Sequence, residues 1–338
     1  MPDLNRQWLL AKRPVGMIAD DIFELRQTPV PEPADGEFLI RVTHLSFDPT
    51  QRGWMSRDGY VPAVPVGAVV RAIGAGRVVR SRHAGFKEGD LVQGSFGWQD
   101  YIVSNGTTDI MPVTKLEAGV APEQALGIFG ITGLTAYFGM TDVGNAKSGE
   151  VVVVSGAAGA TGSVAVQIGK ALGCTVIGIA GGPDKCRWLL QEARADAAID
   201  YKRENVADRI RELAPKGVNV VFENVGGEIL EASIQNIALR GRIVLCGGIS
   251  SYNATDPNAM PGIRNYMMLT GRRARMEGFI ILDYAPRYAE AIHALSKLIA
   301  EGKLKTATDL QQGFDNIPAT LRRLFEGKNV GKQLLKLD

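Results

Sequence analysis

From residue 151 onward, short apolar runs alternate with segments of helical period. Four consecutive valines, Val151 to Val154, have the pattern of a strand buried on both faces, as in a parallel sheet. Beyond a glycine turn, Val164, Ile168 and Leu172 recur on one helical face. The alternation continues with strands over 174–179, 197–200, 218–223 and 242–247 and helices over 183–193, 205–214 and 227–238. Strand–helix alternation of this kind predicts a doubly wound parallel sheet with right-handed crossovers. Phe279–Leu282 reads as a further strand and Tyr288–Ala300 as an amphipathic helix.

The preceding part of the chain has a different rhythm. Phe38–Thr43 alternates like a half-buried strand, Pro65–Ile73 looks similar, and 91–103 holds further short strands. Glycines and prolines punctuate these runs, which predicts a barrel-like β-rich unit over residues 1–125. Pro122–Met140 reads as helical, with Pro122 at the start and Gly133 as an interruption. The tail from Leu304 reads strand, helix, strand and is expected to return to the first unit. The expected division is therefore 1–125 plus 301–338 for one domain and 126–300 for the other.

Composition narrows the function classes. With 45% hydrophobic residues and 22% charged over 338 positions, the chain is long enough for two cores. A net charge of +2 gives no reason to expect nucleic acid as a partner. No apolar run reaches the length of a membrane span, and the N-terminus is too polar for a secretory signal. Cys174, Cys186 and Cys246 lie far apart, which fits a reducing cytoplasm.

The candidate chemistry begins at Gly156–Gly162 (GAAGATG), between the valine strand and its helix. Small residues let backbone approach a pyrophosphate, and a helix N-terminus presents free N–H groups to it. In a chain with 40 glycines such a turn also serves as a tight connection; the flanking strand and helix favour the dinucleotide reading. An NAD site places an acid about 20 residues further on. Here that position reads Ile179-Ala180-Gly181-Gly182, with Lys185 and Arg187 following. Room at Gly181 and a cation at Lys185 suit a 2′-phosphate, hence NADP(H). Asp184 within this stretch is read as a first-turn helix residue.

The motifs LSFDPTQRGWM (45–55), GWQDY (97–101), GITGLTAYFGM (130–140), GAAGATGSVAVQIGK (156–170), FENVGG (222–227), CGGISSYN (246–253), RMEGF (275–279) and LRRLFEGKNVGKQLLKL (321–337) are similar to those of a known family. Over nearly its whole length the chain resembles the medium-chain dehydrogenase/reductases, in their zinc-free leukotriene dehydrogenase, prostaglandin reductase and alkenal double-bond reductase branch, including bacterial curcumin-reductase-like enzymes. The resemblance implies a GroES-like substrate domain, a Rossmann domain and a homodimer. It implies NADPH-dependent hydride transfer to the β-carbon of an α,β-unsaturated ketone or aldehyde. Carried onto this sequence, cofactor contacts come from Gly159, Ala160, Thr161, Gly162, Ser163, Lys185, Tyr201, Asn224, Cys246, Gly247, Ile249, Ser250, Tyr252, Phe279, Ile280, Ile281 and Asn329. Tyr252 matches a tyrosine that positions or protonates the enolate. Thr50 and Gln51 depart from the tyrosine and methionine usual there, at the substrate end.

Zinc-dependent relatives carry cysteine and a Gly-His-Glu in the first domain. Here that domain has no cysteine, and the corresponding stretch reads Val66-Gly67-Ala68-Val69. His44, His83 and His293 have no partners at ligand spacing, so no metal is expected. Without a Lewis acid, charge on the carbonyl oxygen must meet hydrogen-bond donors, for which the nicotinamide ribose 2′-hydroxyl, backbone N–H groups and Tyr252 or Tyr60 are the candidates. A zinc-free quinone reductase and a non-enzymatic dinucleotide-binding protein remain the alternative readings.

Overall fold

The valine run forms the middle of a six-stranded parallel sheet in the computed structural model, which describes residues 4–108, 110–256 and 262–338. The first part of the chain supplies β1 (Leu4–Leu10), β2 (Phe23–Pro29), β3 (Phe38–Ser46), α1 (Thr50–Trp54), β4 (Ile73–Ser81), β5 (Leu91–Ser95), β6 (Tyr101–Ser104) and β7 (Thr114–Lys115). Helices α2 (Pro122–Leu126) and α3 (Ile131–Phe138) lead into β8 (Val151–Ser155), α4 (Ala160–Ala171), β9 (Thr175–Ala180) and α5 (Pro183–Gln191). Then follow β10 (Ala197–Asp200), α6 (Val206–Leu213), β11 (Val218–Glu223), α7 (Gly227–Gln235), β12 (Ile237–Leu245), α8 (Met267–Arg272), β13 (Arg275–Gly278) and α9 (Tyr288–Ala300). The tail forms β14 (Thr308–Gln312), α10 (Ile317–Phe325) and β15 (Lys332–Lys336).

Strand order β10-β9-β8-β11-β12-β13 reverses at β8, the doubly wound Rossmann arrangement. Val152, Val153 and Val154 are fully enclosed because helices cover both faces. A second core, around Phe38, Phe47, Phe96 and Trp98, fills the β-rich, GroES-like unit. Its larger sheet runs β14-β15-β3-β4-β5-β7, with β6 on β3. The tail thus pairs with the start of the chain, Leu335 opposite Leu45. The Gly331 amide donates to Ala158 O at 2.8 Å, tying this unit to the glycine turn.

Four boundaries differ from the sequence expectation. Phe279–Leu282 is not a strand. The edge strand ends at Gly278, and a 3-10 turn covers Ile281–Arg287, where Pro286 cannot serve in a sheet ladder. The apolar run instead packs at the strand ends. Residues 65–72 are a turn and an extended connection before β4, which takes in only Ile73 of the expected strand; Gly67 at φ +85° turns the chain there, and Val69 makes only an isolated bridge to Leu9. The break in 122–140 falls between α2 and α3, while Gly133 lies inside α3, where a Cβ would strike the Ile128 carbonyl. Helix α7 stops at Gln235, and β12 starts at Ile237, with an irregularity that skips from Ile237 to Arg242 against β11.

Candidate active site

One cleft of about 870 Å³ runs along the carboxyl ends of the parallel strands and out to the β-rich unit. It is the place where an open α/β sheet offers ligands its loops and helix termini. Ala160, Thr161 and Gly162, the first turn of α4, line it, with Gly159 as the N-cap. Their N–H groups have no acceptor within the helix. A Cβ on Gly162 would run into the Gly156 carbonyl, so only glycine lets the helix start this close to the turn.

The end of β9 carries the selectivity question. Gly181 lies against the Tyr201 ring, which a Cβ would meet at 2.8 Å. Lys185 reaches across and donates to Gly327 O at 2.8 Å. Lys202, from the end of β10, joins it in lining the cleft. Burial first, and then the Lys202 ammonium, push the Lys185 pKa below its usual value. Two cations repelling each other in one recess are suited to an anion. The nearby carboxylates are engaged elsewhere. Asp200 accepts from the Gly182 amide at 2.8 Å and the Lys202 amide at 3.1 Å, which hold its pKa below the usual range against burial. Asp184 pairs with Arg187 at 3.0 Å on the exposed face of α5, as a first-turn acid.

Further along, Asn224 is fixed at the end of β11. Its side chain donates to Ser155 O at 2.7 Å, and its amide donates to Ser155 Oγ at 2.8 Å. Cys246, Gly247, Ile249, Ser250 and Tyr252 line the wall beyond β12, and Phe279, Ile280 and Ile281 the wall beyond β13. Burial pushes the Cys246 thiol up to about 12. Asn329 enters from the tail and donates to Gly331 O at 3.0 Å. Two of the proposed residues lie outside the cleft: Ser163 is buried, its hydroxyl donating to Ala160 O at 3.2 Å within α4, and Gln51, expected at the substrate end beside Thr50, is buried with its amide donating to Arg71 O at 3.1 Å.

The far end is apolar, with Phe47, Trp54, Ile73, Ile110, Ile131 and Leu282 around two phenols. The Trp54 indole N–H donates to Tyr60 Oη at 3.1 Å, and Thr50 Oγ1 lies 2.6 Å from the same oxygen. Gly248 N–H donates to Tyr252 Oη at 3.3 Å. Burial raises the Tyr252 pKa, and Tyr60 is among the groups acting on it. Each phenol oxygen therefore accepts from an N–H; the Tyr252 hydroxyl keeps its own proton to offer, while Tyr60 shares a hydroxyl–hydroxyl bond with Thr50 in which either can donate.

Several contributors were not singled out from sequence. Lys202 directly follows Tyr201, and a cation at a strand end was the available signal. Trp54 lay within a quoted motif. The Asp48–Lys332 pair gave no signal, because 284 positions separate its members. The loop 250–264 forms the cleft wall as far as Asn253, and its residues 257–261 lie outside the described residues. Of the histidines, His44 is buried beside Thr43 and Glu123, His83 accepts from the Gly85 amide at 2.9 Å, and His293 rides on α9. Among the described residues no group of three or more His, Cys, Asp or Glu could hold a metal ion.

Residues 6–113 match the family model described as the N-terminal domain of oxidoreductase, and residues 160–297 that described as zinc-binding dehydrogenase. The chain is 37% identical to the NADPH-dependent curcumin reductase of Escherichia coli, over 98% of this chain and 97% of that protein. It is a zinc-free medium-chain dehydrogenase/reductase. This oxidoreductase is also 33% identical to the NADP(+)-dependent 2-alkenal reductase of Nicotiana tabacum, over 99% of this chain and 98% of that one. The structure of CurA from Vibrio vulnificus in complex with NADPH superimposes with a TM-score of 0.92, at 39% identity, over 98% and 99% of the two chains.

Proposed function

We propose that this oxidoreductase uses NADPH to reduce the carbon–carbon double bond of α,β-unsaturated ketones and aldehydes. The observation that carries the reading is a single cleft with a lysine pair at one end and two proton-bearing phenols in an apolar recess at the other. The donors fit the cofactor. The first turn of α4 offers N–H groups to the pyrophosphate, and Lys185 and Lys202 meet a 2′-phosphate in the space left by Gly181. Asn224, the 246–252 segment, Phe279–Ile281 and Asn329 hold the remainder. NADPH, when bound, supplies the hydride delivered to the substrate β-carbon.

The protein's own part is orientation and charge. The apolar walls seat a neutral substrate body and exclude water. As negative charge grows on the carbonyl oxygen, Tyr252 and Tyr60 donate hydrogen bonds to it. The raised Tyr252 pKa keeps its proton in place throughout the neutral range. Tyr252 or water then delivers a proton to the α-carbon. We read residues 1–125 and 301–338 as the substrate domain, 126–300 as the dinucleotide domain, and the enzyme as a cytoplasmic homodimer, on the family resemblance and three unpaired cysteines.

A panel of enals, enones and quinones tests the reading, with NADPH oxidation followed by absorbance and products by mass spectrometry. A saturated carbonyl product is expected. Quinol formation with no enone turnover would assign a quinone reductase instead, and binding of NADPH without turnover of any member would leave a dinucleotide-binding protein.

A further inference from the structure

Glu223 closes β11 and is completely enclosed. Its Oε1 accepts the Val225 amide at 2.7 Å and the Gly226 amide at 2.6 Å. Its Oε2 has no hydrogen-bond partner among the described residues, and no lysine, arginine or histidine is among the groups acting on its ionisation. The titratable group facing it is the Cys246 thiol beyond β12; from β8 it meets the Ser155 hydroxyl. A carboxylate charge is poorly held in a dry site without a cation, whereas the neutral acid still offers Oε1 to both amides. Burial accordingly pushes its pKa above the ordinary carboxyl value, against the pull of the Gly226 and Val225 amides and of the Ser155 hydroxyl.

We propose that Glu223 is an uncharged positioning residue that sets the two cofactor-facing loops of the cleft. One loop it holds through its carboxyl and the other through its backbone. The carboxyl fixes Val225, whose carbonyl accepts Ser250 N at 3.0 Å and Ser250 Oγ at 2.6 Å. The Glu223 carbonyl accepts the amides of Cys246 at 2.9 Å and Gly247 at 3.1 Å. Asn224 and Ser250 thus keep their places on the wall through a residue that never touches the ligand. The cofactor-positioning part rests on the NADPH reading above; the uncharged state does not.

Two measurements on the full-length protein test this. The first is thermal unfolding without cofactor, for wild type and Glu223→Gln, from about pH 5 to about pH 8. Once unfolded, Glu223 ionises at about pH 4.3, whereas on this proposal the folded protein keeps its proton across the range. The unfolded state then binds fewer protons, so wild type loses stability relative to the glutamine variant as pH rises. A stability difference that stays flat over this range overturns the proposal. The second is NADPH titration by tryptophan fluorescence. Glu223→Ala is expected to weaken binding by about tenfold, and Glu223→Gln to restore it to within about threefold of wild type. Glutamine as poor as alanine overturns the positioning role. If the alanine variant does not fold, the unfolding series with the glutamine variant still decides. Failure of wild type to bind NADPH would sink the cofactor reading and leave that series intact.

Discussion

Replacing Lys185 with alanine separates recognition of the 2′-phosphate from general cofactor binding. The ammonium lies in a half-buried recess beside Lys202 and its pKa is lowered by burial and by that neighbour. An entering phosphate neutralises the repulsion between the two ammonium groups and offsets the cost of burial, so the lysine binds the anion more strongly than a solvated surface lysine would. A hydrogen bond to a charged group contributes about 1.5–3 kcal/mol, or roughly 10- to 150-fold in affinity. Solvent reaches the recess, and Lys202 remains after the substitution, so the lower end applies: about tenfold weaker NADPH binding. The variant also loses the 2.8 Å bond to Gly327 O, a loss that affects NADPH and NADH alike. The informative quantity is therefore the ratio of kcat/KM for NADPH to that for NADH. It should fall about tenfold in Lys185→Ala and further in Lys185→Ala/Lys202→Ala, with a weaker salt dependence of NADPH binding. An unchanged ratio, with both cofactors losing equally, would show that Lys185 serves only to hold Gly327.

Tyr252→Phe removes one donor to the developing oxyanion and should lower kcat about 10- to 100-fold in steady-state assays, with little change in KM for NADPH. Lys332→Met strands Asp48, which retains only the Ser46 hydroxyl at 2.6 Å as a side-chain donor; about 3 kcal/mol of stability should be lost, seen as a lower Tm by calorimetry. Glu150 is held below the usual carboxyl range because Arg242 and the Lys147 amide outweigh the cost of its burial. Its contribution is present above about pH 4.3 and is lost as pH falls through the lowered folded value, so the stability gap between wild type and Glu150→Gln should close in acid. Prolonged dialysis against a strong chelator should leave enone reduction unchanged, measured by NADPH oxidation before and after metal is added back.

The period of the hydrophobic pattern by itself determined the Rossmann half of the chain. Four valines in a row bury on both faces only between layers of helix, and each following strand–helix pair repeats that constraint. The same local information located the glycine turn and showed that no acid follows β9 at the ribose position. Tertiary structure decided whatever depends on partners far apart in the chain. Phe279–Leu282 has the composition of a buried strand, yet it leaves the sheet to line the cleft, because the ladder partner β12 ends at Leu245 opposite Gly278. Lys202 acquires meaning only when the sheet sets β10 beside β9 and brings its ammonium to Lys185. Tyr60 and Tyr252, 192 positions apart in number (60 against 252), become neighbours because β15 carries the tail back onto β3 and closes the β-rich unit over the strand ends. Periodicity reports which face of an element is buried; it carries no record of what lies across the gap, and the chemistry of this cleft resides there.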